Sequence, residues 1–465
     1  MSKIEVDVLN YEGTTMDKRR KYLLESENVQ KALLLLAIPS IIAMVTNGIY
    51  NFVDALFVGM LDNTAMLAAV TVTFPMVMIM GAIGQGLGIG AGSLVARQLG
   101  RKDYHLVGKT VYTVMFSSII LSISGSVILI ANLETILPWF GATPEALEYT
   151  ISYATWMIIG MISTILNMTM SNLLRAEGDV RFPMVAIMAG AIFNIFLDPI
   201  MMFEWGFNLG LEGAAIATII SHMITTVLLF ARMFSKSSIL NFKPLTWNFN
   251  LKLSNEIFAL GIVVFFRQAL VSLSLLIINF VASGYGTDIV AAIGLVQRTN
   301  GLVIFVLIGY AQGLLPFAGY NYGANNTKRL QLAIRYSSIW ATVFTLVSAI
   351  IMAVFARPIL LLFTSDETVI YFGVRMFYAI ALGLPFVGYY QIVTILFQAF
   401  GKVKESFILS IARQGIILIP LVFIFPMIWQ YNGIFAAIPA ADFLTLFLTI
   451  IFAKRLKKEF QIKAS

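Results

Sequence analysis

Twelve long apolar segments dominate this chain of 465 residues and restrict the folds that it can adopt. Each segment is long enough to cross the hydrocarbon core of a bilayer as a helix, which takes about 20 residues. Hydrophobic residues make up 59% of the chain, and no soluble domain of this length could hide that much apolar surface. We therefore predict an all-α membrane protein with twelve transmembrane helices, at about residues 31–58, 65–94, 104–131, 146–173, 181–204, 210–233, 254–283, 288–319, 332–356, 368–398, 405–430 and 433–453.

Lysine and arginine side chains are concentrated at alternate connections between these spans. Both tails and the connections after every second span are basic, whereas the intervening connections carry almost no basic residue apart from Arg357. Basic segments stay on the cytoplasmic side of a membrane. The net charge of +7 therefore indicates membrane topology and not a nucleic-acid partner. We predict a multi-pass protein of the cell (plasma) membrane with both termini in the cytoplasm and no cleaved signal peptide.

An internal repeat divides the spans into two halves. A shift of 223 residues without gaps superimposes small residues over much of the chain, such as Gly86 on Gly309, and it places Ile277 opposite Asp54. Each half holds six helices, an even number, so the two lobes are related by a pseudo-two-fold axis along the membrane normal. The predicted parts are a cytoplasmic tail (1–29), an N-lobe (30–235), a cytoplasmic linker (236–253), a C-lobe (254–454) and a second cytoplasmic tail (455–465).

A polar stripe interrupts the first span. Asn47, Asn51 and Asp54 recur at the spacing of one helical face. A carboxylate in a membrane helix usually faces a bundle interior or a cavity and marks a functional site, although it can also be a structural group bonded to a neighbouring helix. Methionine, concentrated in the first half, suits adaptable binding surfaces or fills lipid-facing positions. We predict a substrate cavity lined by Asn47, Tyr50, Asn51, Met161, Met168, Met188 and Met202.

The fifth span offers a second carboxylate, Asp198, one helical turn after Asn194. Two carboxylates close together in a low dielectric cannot both remain charged, so they take a proton or bind a cation. The fourth and sixth spans add an amide and a hydroxyl group. We predict a cation-coupling site formed by Asp54, Asp198, Asn194, Thr218 and Asn172, of which Asp54, Asp198 and Asn194 ligate the metal if the ion is Na⁺.

The cleft between two such lobes is the expected position of substrate in a transporter that alternates access. The sequence has no phosphate-binding Gly-x-x-x-x-Gly-Lys-Ser/Thr loop, so we predict coupling to H⁺ or Na⁺ and no ATP or other cofactor. It has no cysteine and only two histidines, His105 and His222, which excludes thiolate chemistry and disfavours a histidine metal centre. No plausible Ser/His dyad is present, so we predict no catalytic residue, and His222 is expected to be an interior histidine with its hydrogen bonds satisfied.

The second half carries arginine where the first carries carboxylates. Arg267, Arg298, Arg375 and Arg413 lie within or beside its spans, and Asp442 lies in the last one. We favour structural roles, in which Arg298, Arg375 and Arg413 pair with lipid phosphates, with Asp442 or with backbone carbonyl groups. The same arginines leave open a cationic cavity that binds a pyrophosphate.

Several short motifs point to a known family. Pro39 lies in the first span, and it is followed by Asp54-Ala-Leu-Phe-Val-Gly59, Arg175-Ala-Glu-Gly-Asp179, Asn194-Ile-Phe-Leu-Asp198-Pro199 and Gly213-Ala-Ala-Ile-Ala-Thr218. In these motifs the chain resembles the multidrug and toxic compound extrusion (MATE) transporters, in their prokaryotic DinF-like/MepA-like branch, over about residues 30–455.

The resemblance implies export of organic cations driven by inward H⁺ or Na⁺. It also implies that Asp54, Asn194, Asp198 and Thr218 match the N-lobe cation site of that branch. Other branches carry acidic residues on the seventh and tenth helices. Here those helices show Arg267 with Gln268, and Arg375, which argues against an ion site in the second lobe.

Together these observations predict a secondary active multidrug or organic-cation efflux antiporter that alternates access between two lobes. Its expected partners are small cationic or amphipathic organic substrates and membrane lipids; we expect a monomer that binds no nucleic acid. The alternative is a lipid-linked precursor or polysaccharide flippase of the same wider superfamily.

Overall fold

Helices form all the regular structure of the described residues, which are 17–61, 63–141, 143–235, 238–240 and 249–462 of a computed structural model. Most of the predicted linker thus lies outside the described residues. The first half contains α1 (Lys18–Glu25), α2 (Val29–Gly59), α3 (Thr64–Gly100), α4 (Tyr104–Ala131), α5 (Leu133–Ile136), α6 (Pro144–Ile159), α7 (Met161–Ala176), α8 (Arg181–Met202) and α9 (Gly210–Met233). The second half contains α10 (Leu251–Ser283), α11 (Thr287–Gly323), α12 (Thr327–Val354), α13 (Ala356–Leu361), α14 (Glu367–Ala399), α15 (Val403–Ile411), α16 (Ile419–Trp429) and α17 (Tyr431–Ile462), with a π-helical segment (Ala412–Leu418) between α15 and α16.

Eleven of the described helices are long and apolar enough to cross a membrane, counting α15 to α16 as one, and the pair α6 and α7 makes a twelfth span that is bent by 41°. The twelve predicted spans are therefore confirmed. Polar caps help to fix where spans begin, because the side chains of Asn28, Asn63 and Asn250 accept hydrogen bonds from the first backbone N–H groups of α2, α3 and α10.

Glycines let the lobes approach each other closely. A Cβ on Gly86 of α3 would lie 2.8 Å from the carbonyl oxygen of Gly261 in α10. In the repeat-related contact, a Cβ on Gly309 of α11 would lie 2.5 Å from the Cα of Ile41 in α2. Neither position has room for a side chain, so the backbones pack directly against each other, as small residues allow in membrane helices.

The two contacts follow the internal repeat, since Gly86 and Gly309 are 223 residues apart, as expected. The match of Ile277 with Asp54 stays a prediction.

The lobes are joined at the face where α2 begins and α17 ends, which we call the terminal face. Ser93 of α3 donates a hydrogen bond to the carbonyl oxygen of Gln398 in α14 at 2.5 Å, and Arg97 donates to that of Ala399 at 3.3 Å. Arg97 also forms an ion pair with Glu256 of α10 at 2.9 Å. These bonds close the terminal face.

The lobes part towards the opposite face, which we call the distal face. Gly294, Gly301 and Phe305 lie on one side of α11, and the Phe305 ring is 3.0 Å from a Cβ built on Gly48 of α2. Farther towards the distal face on the same side, a Cβ on Gly301 or Gly294 would meet no atom within 4 Å. The cleft between the lobes therefore opens to the distal face.

The segment predicted only as an N-terminal tail contains a helix that packs on both lobes. Arg20 of α1 forms ion pairs with Glu177 and Asp179, which follow α7, at 2.6 Å each. On the other side, the carbonyl oxygen of the fully buried Leu24 accepts a hydrogen bond from Asn321 of α11 at 3.2 Å. Helix α1 thus bridges the lobes at the terminal face.

Candidate functional site

A buried polar cluster lies between α8 and α9 in the first lobe. The Asn194 amide donates a hydrogen bond to the Asp198 carboxylate at 3.0 Å and to the Thr218 hydroxyl at 3.4 Å. Asn194 is 2% exposed and Asp198 is fully buried. The spacing of one helical turn brings Asn194 and Asp198 together on α8, as the sequence predicts.

Asp54 of α2 lies beside this cluster. It is only partly buried, and it lies close enough to Asp198 for the two carboxylates to interact electrostatically. Asp198 is fully buried. The two acidic groups thus differ in burial.

Three oxygen atoms of the cluster have no hydrogen-bond donor among the described residues: Asp54 Oδ1, Asp198 Oδ2 and Asn194 Oδ1. Buried polar atoms are nearly always satisfied, so such a concentration needs an explanation. A proton on a carboxylate or a hard cation held by oxygen ligands would supply it. No group of three or more His, Cys, Asp or Glu side chains that could hold a metal occurs in the described ranges, so a bound Na⁺ would depend on amide and hydroxyl oxygens as well.

Two tyrosines beside the carboxylates complete their surroundings. Tyr50 on α2 and Tyr153 on α6 both interact electrostatically with Asp54 and Asp198. Tyr153 is 6% exposed and packs near Val58 in a small apolar cluster. Tyr50 was predicted to line the cavity, but Tyr153 was not predicted, because an aromatic residue in an apolar span gives no distinguishing signal.

Asn172 does not belong to the cluster, contrary to the prediction. Its amide donates to Gln85 of α3 at 3.1 Å and to the carbonyl oxygen of Met168 at 2.8 Å. Asn172 lies four residues before the terminal-face end of α7, whereas Asp198 lies four residues before the distal end of α8. The two side chains are therefore near opposite faces of the membrane.

The residues predicted to line the cavity occupy different environments. Asn51 is exposed on α2 and donates to the carbonyl oxygen of Asn47 at 2.6 Å. Met168 and Met188 are partly buried, and Met168 touches Gly84 of α3. Two of the predicted methionines, Met161 and Met202, are instead packed in the lobe interior, at 2% and 1% exposure.

His222 has hydrogen-bond partners inside the first lobe. Its Nδ1 lies 3.0 Å from the Thr164 hydroxyl, and its carbonyl oxygen accepts from Asn167 at 3.0 Å. The Thr226 hydroxyl in turn donates to Asn167 at 2.8 Å. This network suits the expected interior histidine.

The arginines of the second lobe differ in their partners. Arg413 pairs with Asp442 at 2.5 Å, one of the pairings considered from the sequence. Arg375 lies over the ring of Tyr371 at 4.3 Å and donates to Tyr431 at 3.2 Å. Arg267 forms no ion pair or hydrogen bond with a described residue.

Comparisons with known proteins agree with this architecture. The MatE family matches residues 39–200 and again residues 264–424. The multidrug export protein MepA of Staphylococcus haemolyticus (strain JCSC1435) is 27% identical over 458 residues, which are 97% of this chain and 99% of that protein. The double match of the family follows the internal repeat.

Solved structures show the same fold. One, described as the outward-facing conformation of a multidrug resistance MATE family transporter of the MOP superfamily, has a TM-score of 0.90 and 25% identity, with 96% of this chain and 99% of that chain covered. A second, a MOP superfamily transporter from Pyrococcus furiosus whose binding pocket is described as having reverse polarity, has a TM-score of 0.89 and the same identity and coverage.

Two repeated helical lobes around a cleft, with acidic side chains inside the membrane bundle, define a membrane transporter and not an enzyme. The chain belongs to the MatE family.

Proposed function

We propose that this protein is a multidrug or organic-cation efflux antiporter of the cell membrane, driven by inward H⁺ or Na⁺. The observation that carries the proposal is the pair of carboxylates with unpartnered oxygens, one partly buried and one fully buried. The similarity to proteins named as multidrug exporters supports organic molecules as the substrates.

The coupling follows from charge. A cationic substrate bound near Asp54 and an ion bound near Asp198 compete for the same negative charge, so uptake of the ion favours release of the substrate. A membrane potential of about 100 mV supplies about 2.3 kcal/mol per charge, and a difference of about one pH unit adds about 1.4 kcal/mol. These energies support a substrate gradient of roughly several hundred-fold per ion.

The terminal face is cytoplasmic in this proposal. The basic residues of the tails and of alternate connections belong to this face, as the positive-inside rule requires. The cleft, which opens to the distal face, then opens outward. In this conformation Asp54 would exchange its ligand with the outside solution.

Export of a fluorescent cationic dye from proteoliposomes without ATP, under an imposed pH or Na⁺ gradient, tests the proposal. We expect wild type to move dye and Asp54→Asn to lose gradient-driven transport, while Glu148→Gln, which removes an exposed carboxylate of α6, behaves as wild type. The gradient that drives transport identifies the ion. Equal transport by wild type and Asp54→Asn would make Asp54 structural.

The flippase remains the second candidate, because the second lobe holds a deeply placed arginine without an acidic partner among the described residues. If folded wild type moves no dye under either gradient, translocation of a lipid-linked pyrophosphate becomes the leading function. A fluorescent lipid-linked precursor in the same vesicles is the measurement for that case.

A further inference from the structure

Arg267 occupies the middle of a membrane span. It lies 16 residues from each end of α10, so its charge is near the centre of the bilayer. A guanidinium at this depth costs at least about 2.5–3.5 kcal/mol in a membrane helix, and such residues face a bundle interior or a water-filled cavity. Arg267 is only partly exposed, so neighbouring groups of the bundle cover part of its side chain.

No hydrogen bond or ion pair joins the Arg267 guanidinium to another described residue. Its neighbour Arg413 is neutralised by Asp442 at 2.5 Å. The Asp442 carboxylate is itself enclosed, because it packs directly against Gly383 of α14. Asp442 thus pairs with Arg413 and not with Arg267, which leaves a surplus positive charge inside the second lobe.

Neighbouring contacts define the surroundings of this charge. The Phe266 and Phe407 rings lie 5.8 Å apart, which places this part of α10 against α15. The Ser274 hydroxyl, two turns from Arg267 on the same side of α10, donates to Gln414 at 2.9 Å. The Arg267 side of α10 thus faces the π-helical segment.

A tyrosine and the irregular helix complete the surroundings. Tyr390 of α14 interacts electrostatically with both Arg267 and Arg413, and its hydroxyl donates to the carbonyl oxygen of Leu409 at 3.1 Å. Arg413 and Gln414 belong to the π-helical segment, and such segments are frequent at functional sites. The polar side chains on α10, α14 and the π-helical segment therefore converge on one region.

This region differs from the carboxylate cluster in the sign of its charge. The first lobe holds carboxylates with unpartnered oxygens, and the second lobe holds a guanidinium without an ion-pair partner among the described residues. A substrate that binds at Arg267 must therefore carry an anionic group.

We propose that Arg267, with Tyr390 nearby, binds the oxyanion of an amphipathic ligand, a carboxylate or a phosphate group. For an exporter of organic cations, such a ligand is a zwitterionic organic molecule, whose anionic group binds Arg267. A guanidinium suits this role because it binds planar oxyanions through two parallel hydrogen bonds. This inference rests on the proposed transport function and specifies its substrate class.

Direct binding in detergent micelles, without any gradient, tests the site separately from transport. The probes are a xanthene dye with a free carboxylate and its methyl ester, which has the same cationic ring system without the anion. Fluorescence polarisation gives the affinity of each dye for wild type, Arg267→Gln and Arg267→Lys. Arg375→Gln is the matched control, because its guanidinium already has partners at the distal end of α14.

We expect Arg267→Gln to lose affinity for the carboxylate dye by about ten-fold or more, as the loss of a charge-assisted hydrogen bond predicts. Its affinity for the ester should stay unchanged, and Arg267→Lys should retain part of the preference for the acid. If Arg267→Gln does not fold, the test uses wild type only. Wild type must then bind the acid more tightly than the ester, and added salt must reduce this difference in affinity.

A second arm distinguishes a substrate from a lipid as the source of the oxyanion. Phosphatidylglycerol and phosphatidylcholine are titrated into the same micelles, and bound lipid is counted by native mass spectrometry. If only phosphatidylglycerol binding depends on Arg267, the site exists and takes a lipid phosphate. If neither dye selectivity nor lipid binding changes in Arg267→Gln, the inference is overturned. Loss of acid binding together with normal transport by Asp54→Asn would overturn the coupling scheme alone.

Discussion

Asp198 is fully buried with one carboxylate oxygen that no described residue hydrogen-bonds. An uncompensated charge in this position destabilises the fold. In Asp198→Asn the new amide can donate to Asn194 Oδ1, which also lacks a donor. We expect the variant to unfold a few degrees higher than wild type at neutral pH while losing gradient-driven export, the trade-off common at functional sites.

Thermal unfolding in detergent measures this effect, and Asp54→Asn serves as the comparison. Because Asp54 is only partly buried, its substitution should change the midpoint less. A lower midpoint for Asp198→Asn than for wild type would mean that the protein stabilises the charged carboxylate, and Asp198 would then be structural.

The residues of the site were predictable to different degrees. Asn194, Asp198 and Thr218 stand out because polar groups are costly in apolar spans, and the structure brings them together. Asn172 satisfies the same criterion, but residue type does not reveal depth in the membrane. Tyr153 was missed because an aromatic side chain is ordinary in a membrane helix.

At the scale of elements, helix α1 docks beside a buried carboxyl group. Burial raises the pKa of Glu177 to about 7, although Arg20 and the backbone N–H of Ile239 act in the opposite direction. Asp179 and the Ser238 hydroxyl also face this group, and Arg232 pairs with Asp179 at 2.7 Å. Glu177 therefore holds a proton in the folded protein at pH values where an unfolded chain has released it.

This shift predicts how stability depends on pH. The contribution of Glu177 to the free energy of unfolding is fully present below its ordinary pKa of 4.5 and is lost as the pH rises through about 7. Wild type should therefore lose stability relative to Glu177→Gln, which cannot ionise, between about pH 5 and pH 8. Unfolding midpoints of both proteins across this range check the prediction, with Glu148→Gln as an exposed control. If the difference in unfolding midpoint between wild type and Glu177→Gln stays constant over this pH range, Glu177 has an ordinary pKa.

Sequence patterns predicted the long elements and missed the short ones. The twelve spans followed from long apolar runs that have no other stable environment. Helix α1 was assigned to a tail because it is highly charged, and its docking depends on Glu177 and Asp179, which lie far away in the chain. The π-helical segment has no sequence signal beyond its position before Pro420.

At the scale of the whole molecule, the close packing of the lobes should depend on Gly309 but not on Gly301, although both lie on α11. In Gly309→Ala the new methyl group would meet the backbone of Ile41 and force the lobes apart. In Gly301→Ala, on the same side of α11, it would meet no atom within 4 Å. We expect Gly309→Ala to lower the unfolding midpoint and Gly301→Ala to leave it unchanged or raise it, since alanine favours helices by about 1 kcal/mol.

Unfolding midpoints of the two variants, together with the export assay, measure the difference. Equal midpoints would mean that the lobes do not rely on this contact. A Gly301→Ala variant that loses stability would show that the cleft closes around α11 in the resting protein.

The attachments of helix α1 have a practical consequence for measuring motion. Two buried ion pairs hold α1 to the first lobe. The second lobe holds it through the Leu24 carbonyl oxygen, at 3.2 Å from Asn321 and 3.5 Å from Arg329, and through interactions of the less buried Glu25 with Tyr320 and Arg329. When the terminal face opens, α1 should therefore travel with the first lobe. Because the chain has no cysteine, single cysteines introduced on α1 and near the end of α17 can carry a pair of spectroscopic labels. The distance between the two labels would then report each conformational change of the transport cycle at the terminal face, opposite to the side on which the cleft is open.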